Sequence, residues 1–389
     1  MMPKHSVRST LALSLLLAGC ATEMPPAPLV RTGDPVLDGR NMIDRVPPKD
    51  RVLWQYKTAL SALRRGQYPE ARQLLDDALL TVGGVSTDSA ARKARGYFHT
   101  EDRKNFIGEP YERAMAYYYR GILYWMDGQV DNARACFRSA QIQDADVENH
   151  AYAADYVLLD YLDGFATVKL AGDGSDALQR AQKESRFGPP VPYNEKANVL
   201  FFIEFGGGPL KYASGQFHEE LRIHGQRSLA QSAMISIGNE RIGLMPYDDL
   251  VFQATTRGGR EMDHILANKA VFKAGTDTAG NVALVSGAVL AGTPHSRHSD
   301  AGNVGLGLLA FGAVSKIISA TTTPAADVRC WDNLPQYLSF SALELPPGRH
   351  TATIQFKDAQ GHLLPSLART ATFDVVPGRD TVIFVSDHS

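Results

Sequence analysis

The sequence predicts a multidomain chain, α-helical first, then mixed α+β, and ending in a small antiparallel β-sheet or sandwich. Three observations carry this reading. Between residues 51 and 187 apolar side chains recur at the three-and-four spacing of amphipathic helices. Beyond Gly188-Pro189-Pro190 that spacing gives way to short β-branched and aromatic runs. From Gln336 onward, four alternating runs are separated by turn residues such as Pro346-Pro347-Gly348 and Pro377-Gly378. A chain of 389 residues, 44% of them hydrophobic, has the length and the apolar content for more than one core.

At the N-terminus, Lys4 and Arg8 precede the apolar stretch Leu11–Ala18. It is too short to cross a bilayer, which takes about 20 residues, and has the layout of a secretory leader. The stretch ends in Leu17-Ala18-Gly19-Cys20, which resembles the lipobox of bacterial lipoproteins. That resemblance implies cleavage after residue 19 and lipidation of Cys20 on its sulfur and its new amino group. Ala18 and Gly19 are small enough for a narrow peptidase cleft, and the thiol is the nucleophile that accepts the lipid. Each buried CH₂ contributes about 0.8 kcal/mol, so several acyl chains on one residue anchor stably. In the sorting rule of enteric lipoproteins an aspartate after the cysteine means retention at the inner membrane; with Ala21 there, the resemblance implies the periplasmic face of the outer membrane. Residues 20–50, rich in proline and polar side chains, read as the lipidated cysteine and a flexible linker.

In 51–187 the segment Ala59–Leu80 carries two helical stripes joined at Gly66-Gln67-Tyr68, with Ala71, Leu75 and Ala78 on one face. A second copy spans Tyr117–Gln141. Its Tyr117, Gly121, Tyr124, Gly128, Ala133, Phe137 and Ala140 follow the small-and-large spacing of a tetratricopeptide repeat. A glycine or alanine lets the two helices of a hairpin approach, and the aromatics fill the space between hairpins. Arg120 and Ala145 depart from the usual leucine and proline. From Gly66 to Gly128 the offset is 62 residues, against 34 in a regular array, so roughly 28 residues are inserted. Ala151–Phe165 and Asp176–Ser185 read as a third, degenerate hairpin.

Three stretches, "FIGEPYERAMAYYYRGILYWMDGQ", "VLFFIEFGGGPLKY" and "ADVRCWDNLP", are similar to those of largely uncharacterised bacterial envelope lipoproteins with an N-terminal tetratricopeptide-like region. The resemblance implies an envelope protein partner and transfers no catalytic residue or cofactor. For a scaffold of this type, Arg103, Lys104, Tyr111, Arg113 and Arg120 are the candidate contact residues, on the first helices and the insertion.

In the second half, residues 195–325 read as a mixed α+β domain. Asn198–Phe205, "SAMISIG" and "DLVFQATT" are strand candidates, and "EMDHILANKAVFKA" is a helix candidate. Gly206-Gly207-Gly208 lacks the Gly-Lys-Ser/Thr of a phosphate loop and reads as a bend. Ala301–Ala320, the most hydrophobic part of the mature chain, reads as a buried glycine-rich helix, with a membrane-active element as the alternative. Residues 326–389 form the β domain, and Arg329, Trp331 and Asp332 are expected to fix the approach into its sheet.

The residue patterns favour binding over catalysis. A net charge of −2, lower still once Lys4 and Arg8 leave with the leader, argues against a nucleic-acid partner. Cys136 and Cys330 fall in different expected domains, so unpaired thiols are expected. The rival reading is a metal-dependent envelope hydrolase using His295, His298 and Asp300, with His264 or Asp263 brought near. Neither the zinc-protease His-Glu-x-x-His nor the Gly-x-Ser-x-Gly elbow occurs. His218, Glu219, Glu220 and His224 have no zinc-protease spacing. Glu109 and Glu112, flanking Pro110, suit the start of a helix, where negative charge is favoured.

Overall fold

The chain is helical from Pro35, inside the stretch expected to be a linker. A computed structural model describes residues 31–83, 105–145, 155–215, 220–256 and 326–388, and the elements below are those of the described residues. Helix α1 (Pro35–Arg45) begins because Asp34 accepts hydrogen bonds from the backbone of Val36 at 2.8 Å and Leu37 at 3.2 Å, with Pro35 in the first turn. The Asp-Pro pair that looked like linker composition is a helix start. Val36 is buried and Arg40 pairs with Glu70, which docks α1 on the next hairpin.

Three helical hairpins follow: α2 (Arg51–Arg64) with α3 (Tyr68–Gly83), α4 (Pro110–Met126) with α5 (Val130–Asp144), and α6 (Val157–Lys169) with α7 (Ser175–Glu184). Gly66 (φ +70) and Gly128 (φ +76) make the first two turns in the left-handed region that glycine tolerates best. In the second hairpin Ala133, Phe137 and Ala140 are fully buried, with Tyr117 and Tyr124 half-buried beside them. A Cβ on Gly121 would sit 2.5 Å from Phe137 Cε1, so only glycine lets α4 and α5 close to this distance.

The hairpins are asymmetric. The second helices bury single stripes, such as Ala71, Leu74, Leu75 and Ala78 on α3 or Ala177 and Ala181 on α7. The first helices α4 and α6 bury nearly every side chain, because they are covered on both sides. Their inner cover is a four-stranded sheet of order β10-β1-β7-β6. Strand β1 (Val199–Gly207) runs parallel to β10 (Thr381–Ser386) and antiparallel to β7 (Pro335–Leu343), which also pairs β6 (Asp248–Asp249). A second sheet, order β5-β4-β8-β9, is built from β4 (Ser232–Ile237), β5 (Glu240–Leu244), β8 (Gly348–Lys357) and β9 (Arg369–Val375). A separate hairpin pairs β2 (Pro209–Ser214) with β3 (Glu220–Gly225), and its Ile223 packs against the helix-side core.

Alternation along β1 divides the core in two. Leu200 and Phe202 face the helices, where Phe202 meets Trp125 and Phe340, while Phe201, Ile203 and Phe205 face Ile235, Ile354 and Phe356 of the second sheet. A strand covered on both faces carries a near-continuous apolar run, and "VLFFIEF" is one.

Two further expectations differ from the structure. The boundary at 325/326 separates no folding units: β1 lies between β7 and β10, and β4 pairs β8, so residues from both sides build both sheets. "DLVFQATT" is mainly helix α8 (Leu250–Thr255), because Asp249 accepts from the backbone of Val251 at 2.9 Å and Phe252 at 3.3 Å and caps it. The expected helices 261–274 and 301–320 lie outside the described residues. Among the described residues no helix is long and apolar enough to cross a membrane.

The α4–α5 contact is testable: Gly121→Ala should destabilise the chain by about 1–3 kcal/mol in urea unfolding, the usual cost of overpacking. Shortening the opposing ring with Phe137→Leu should make the same substitution less costly.

Candidate functional site

Residues 326–334 cross the helical layer without forming helix or strand, then enter β7. What holds them comes mostly from the first two hairpins. The indole of Trp331, fully buried, stacks on Tyr56 with ring centres 4.5 Å apart and lies 6.0 Å from Tyr119. Arg329 Nη1 donates to Asp50 Oδ1 at 2.7 Å and to the Lys49 carbonyl at 3.2 Å. Lys57 Nζ reaches Asp332 Oδ2 at 2.9 Å, and Asn333 Nδ2 donates to the Lys57 carbonyl at 3.0 Å. The placement agrees with the expectation that Arg329, Trp331 and Asp332 fix the approach into the sheet.

The segment's main chain is held by side chains. Trp331 N donates to Glu112 Oε1 at 2.7 Å, Lys211 Nζ donates to the Arg329 carbonyl at 3.0 Å, and Gln226 Nε2 donates to the Asp332 carbonyl at 3.0 Å. Glu112 sits in the first turn of α4 in a capping box with Glu109, whose N–H donates to Glu112 Oε2 at 2.7 Å. Its same oxygen takes Lys211 Nζ at 2.5 Å, and both side chains are shut away from solvent. The helix-start reading of Glu109 and Glu112 is therefore right for the cap and omits the larger role of Glu112. Nothing local announces it, since Lys211 lies 99 residues further along.

Electrostatics make this junction a holder. Burial by itself would lower the Lys211 pKa, but Glu112, Glu109 and Cys330 overcome it and hold the ammonium above its ordinary value. Burial, with Glu112 adding, pushes the Cys330 thiol up to about 11, so it is no thiolate at neutral pH. Burial also raises Tyr111 well above its usual range. The cluster offers a fixed ion pair and hydrogen-bonding groups, with no activated nucleophile. Trp331 Nε1, Tyr56 Oη and Asn333 Oδ1 are buried and find no hydrogen-bond partner among the described residues. An unsatisfied buried polar group costs about 1–3 kcal/mol.

Two further polar contacts join helices to sheet. Glu204 on β1 accepts from Arg64 Nε and from Tyr119 Oη, each at 2.6 Å. Asp248 on β6 accepts the first backbone N–H groups of α6, Val157 at 3.0 Å and Leu158 at 2.8 Å. Burial pushes Asp248 up to about 8; the two N–H bonds oppose the shift, and Asp155 and Asp144 reinforce it.

The three sequence-predicted contact residues that are described do not lie on the surface. Tyr111, Arg113 and Arg120 are buried. Arg113 donates to Gln143 at 2.6 Å and to the Gly108 carbonyl at 2.8 Å. Arg120 forks onto Asp76 at 2.6 and 3.0 Å and stacks 3.5 Å over Tyr124. A solvated face and an inter-helix contact draw on the same residue types, and only the covering layer decides between them. Arg103, Lys104, Asp263, His264, His295, His298 and Asp300 lie outside the described residues, as do Cys20, His218 and Glu219. Among the described residues no group of three His, Cys, Asp or Glu could hold a metal ion. Cys136 and Cys330 are free thiols on separate elements, and burial pushes Cys136 up to about 11.

The three stretches singled out in the sequence meet here, contributing Glu112 and Tyr119, Glu204 and Lys211, and Cys330 to Asn333. Comparisons with protein-family models, with curated proteins and with solved structures return no match.

Lys211→Met should cost about 3–5 kcal/mol in urea unfolding, because it strands the Glu112 charge. Glu112→Gln combined with Lys211→Met should lose clearly less than the sum of the single changes. The melting temperature should also depend on pH through Asp248. Its carboxyl holds its proton to about pH 8 folded but ionises near its ordinary value unfolded. The stability it contributes is full below that ordinary value and is lost as pH rises through the folded one. Asp160, raised by burial to about 6, adds to the lower part of this window. Melting points should therefore fall from pH 5 to pH 8, and Asp248→Asn should flatten the fall.

Proposed function

We propose that the chain is a lipoprotein of the bacterial envelope, anchored through Cys20 at the periplasmic face of the outer membrane, and that it serves as a protein-binding scaffold of tetratricopeptide type. The observation that carries the scaffold reading is the run of three hairpins whose second helices bury one stripe and leave the opposite face open. Closely packed hairpins backed by a sheet form a rigid surface, and rigid repeats bind partners at little conformational cost. The lipobox-like Leu17–Cys20 supports the anchor.

Partner contact belongs on the exposed second helices, since the first helices are covered. Arg138 on α5, which also reaches Asp163 of α6 at 3.1 Å, and Lys183 on α7, with side chains 57% and 82% exposed, border that face. Labelled palmitate should enter the wild-type protein and not Cys20→Ala, and the variant should leave the outer-membrane fraction. Crosslinking in cells followed by affinity purification should recover an envelope protein, with recovery reduced in Arg138→Glu plus Lys183→Glu. Palmitate incorporation that survives Cys20→Ala would remove the anchor assignment. Failure to recover any partner would remove the scaffold assignment.

A further inference from the structure

Two buried carboxylates of α6 gather more positive charge than they neutralise. Asp160 and Asp163 stand one helical turn apart and share a face of the helix. Asp163 Oδ1 accepts from Arg134 Nε at 3.0 Å and from Arg138 Nε at 3.1 Å, both on α5. Asp160 Oδ1 accepts from Arg180 Nε of α7 at 3.1 Å and from Gln141 Nε2 of α5 at 3.0 Å. Three guanidinium groups therefore share two carboxylates, while the neighbouring acid Glu184 is paired with Lys183 at 2.9 Å.

How the arginines are held matters more than their number. Each is bonded through Nε, and among the described residues no Nη group of the three has a hydrogen-bond partner. Because Arg134 and Arg138 meet on one oxygen, their guanidinium groups are held side by side with a single counter-charge between them. Arg138 and Arg180 are exposed and Arg134 is partly exposed, so the open Nη ends are within reach of a solute. One carboxylate satisfies one such fork. Neighbouring forks with charge to spare are matched by a group that carries three or more oxygens and close to two negative charges, which is a phosphate monoester or free phosphate.

We propose that Arg134, Arg138 and Arg180 form a phosphate-binding site on the surface of α5, α6 and α7, their Nη groups taking the phosphate oxygens while Asp160 and Asp163 hold the three side chains in place. A lipid headgroup such as that of phosphatidic acid and a free phosphate carry this same chemistry. The inference goes beyond the scaffold reading and does not rest on it. Failure to capture an envelope partner would leave the site standing, and failure of phosphate to bind would leave the scaffold reading standing.

The test uses the full chain purified in an uncharged detergent at low ionic strength, titrated with inorganic phosphate and, separately, with dioctanoyl phosphatidic acid and glycerol 3-phosphate, and read by calorimetry. Inorganic phosphate should bind saturably with Kd of about 1 mM or tighter. Arg138→Gln and Arg180→Gln should each weaken binding about tenfold, as loss of hydrogen bonds to a charged group implies. Arg222→Gln on the β2–β3 ribbon should leave it unchanged. Arg138→Lys keeps the charge and loses the fork, so it should also weaken binding, and it replaces the glutamine variant should circular dichroism show that one unfolded. Phosphatidic acid binding more tightly than glycerol 3-phosphate supports the site with a lipid as its source, and equal binding supports it with free phosphate. No saturable binding of any probe up to about 10 mM, or binding unchanged in the folded Arg138 and Arg180 variants, overturns the proposal.

Discussion

Glu112 and Lys211 meet at 2.5 Å with no access to water, at the point where a helix of the second hairpin, the β2–β3 ribbon and the Trp331 segment come together. Taking two charges out of water costs several kcal/mol per ion, and mutual attraction repays it only where the remaining lone pairs and protons are also bonded. Here they are. Glu112 accepts from two backbone N–H groups as well as from Lys211, and Lys211 also donates to the Arg329 carbonyl. Each partner is the other's only affordable surrounding, so the pair fixes where the β ribbon and the connecting segment lie on the helices. Glu204 with Arg64 and Tyr119 repeats the device further along the same interface.

The interface also explains why the chain does not divide where its composition changes. Strand β1 has one face in the helical core and the other in the sandwich core, and its two neighbours in the sheet come from the last 55 residues. Removing the helices would expose Phe202, Phe340 and Phe384, and removing the C-terminal strands would leave β1 without hydrogen-bond partners on either edge. The helical layer, the inner sheet and the outer sheet are layers of one folding unit.

A stack of helical hairpins ordinarily offers its first helices as the binding face. In this protein that face is covered by the inner sheet and crossed by the Trp331 segment, so among the described residues the second helices present the outer surface. The outer surface is open and mostly polar, with Leu80 and Ile142 exposed on α3 and α5. The Trp331 segment is instead part of the core, with its indole enclosed between Tyr56 and Tyr119.

Local chemistry legible in the sequence was reproduced where neighbours in the chain decide it. The hairpin turns at Gly66 and Gly128, the small-residue contact at Gly121, the start of α4 at Glu109-Pro110 and the strands after Pro190 all follow from residues within a few positions of one another. The start of α1 at Asp34-Pro35 and the cap of α8 at Asp249 carry the same local signals, but they sit in proline-rich and β-branched surroundings whose composition points to linker and strand. Tertiary structure alone decided that Tyr111, Arg113 and Arg120 are covered, that β1 sits between β7 and β10, and that Glu112, Lys211 and Trp331 meet. The reason is physical: helix periodicity and capping are set by contacts three or four residues apart, whereas burial of a charge depends on which distant segment comes to lie over it.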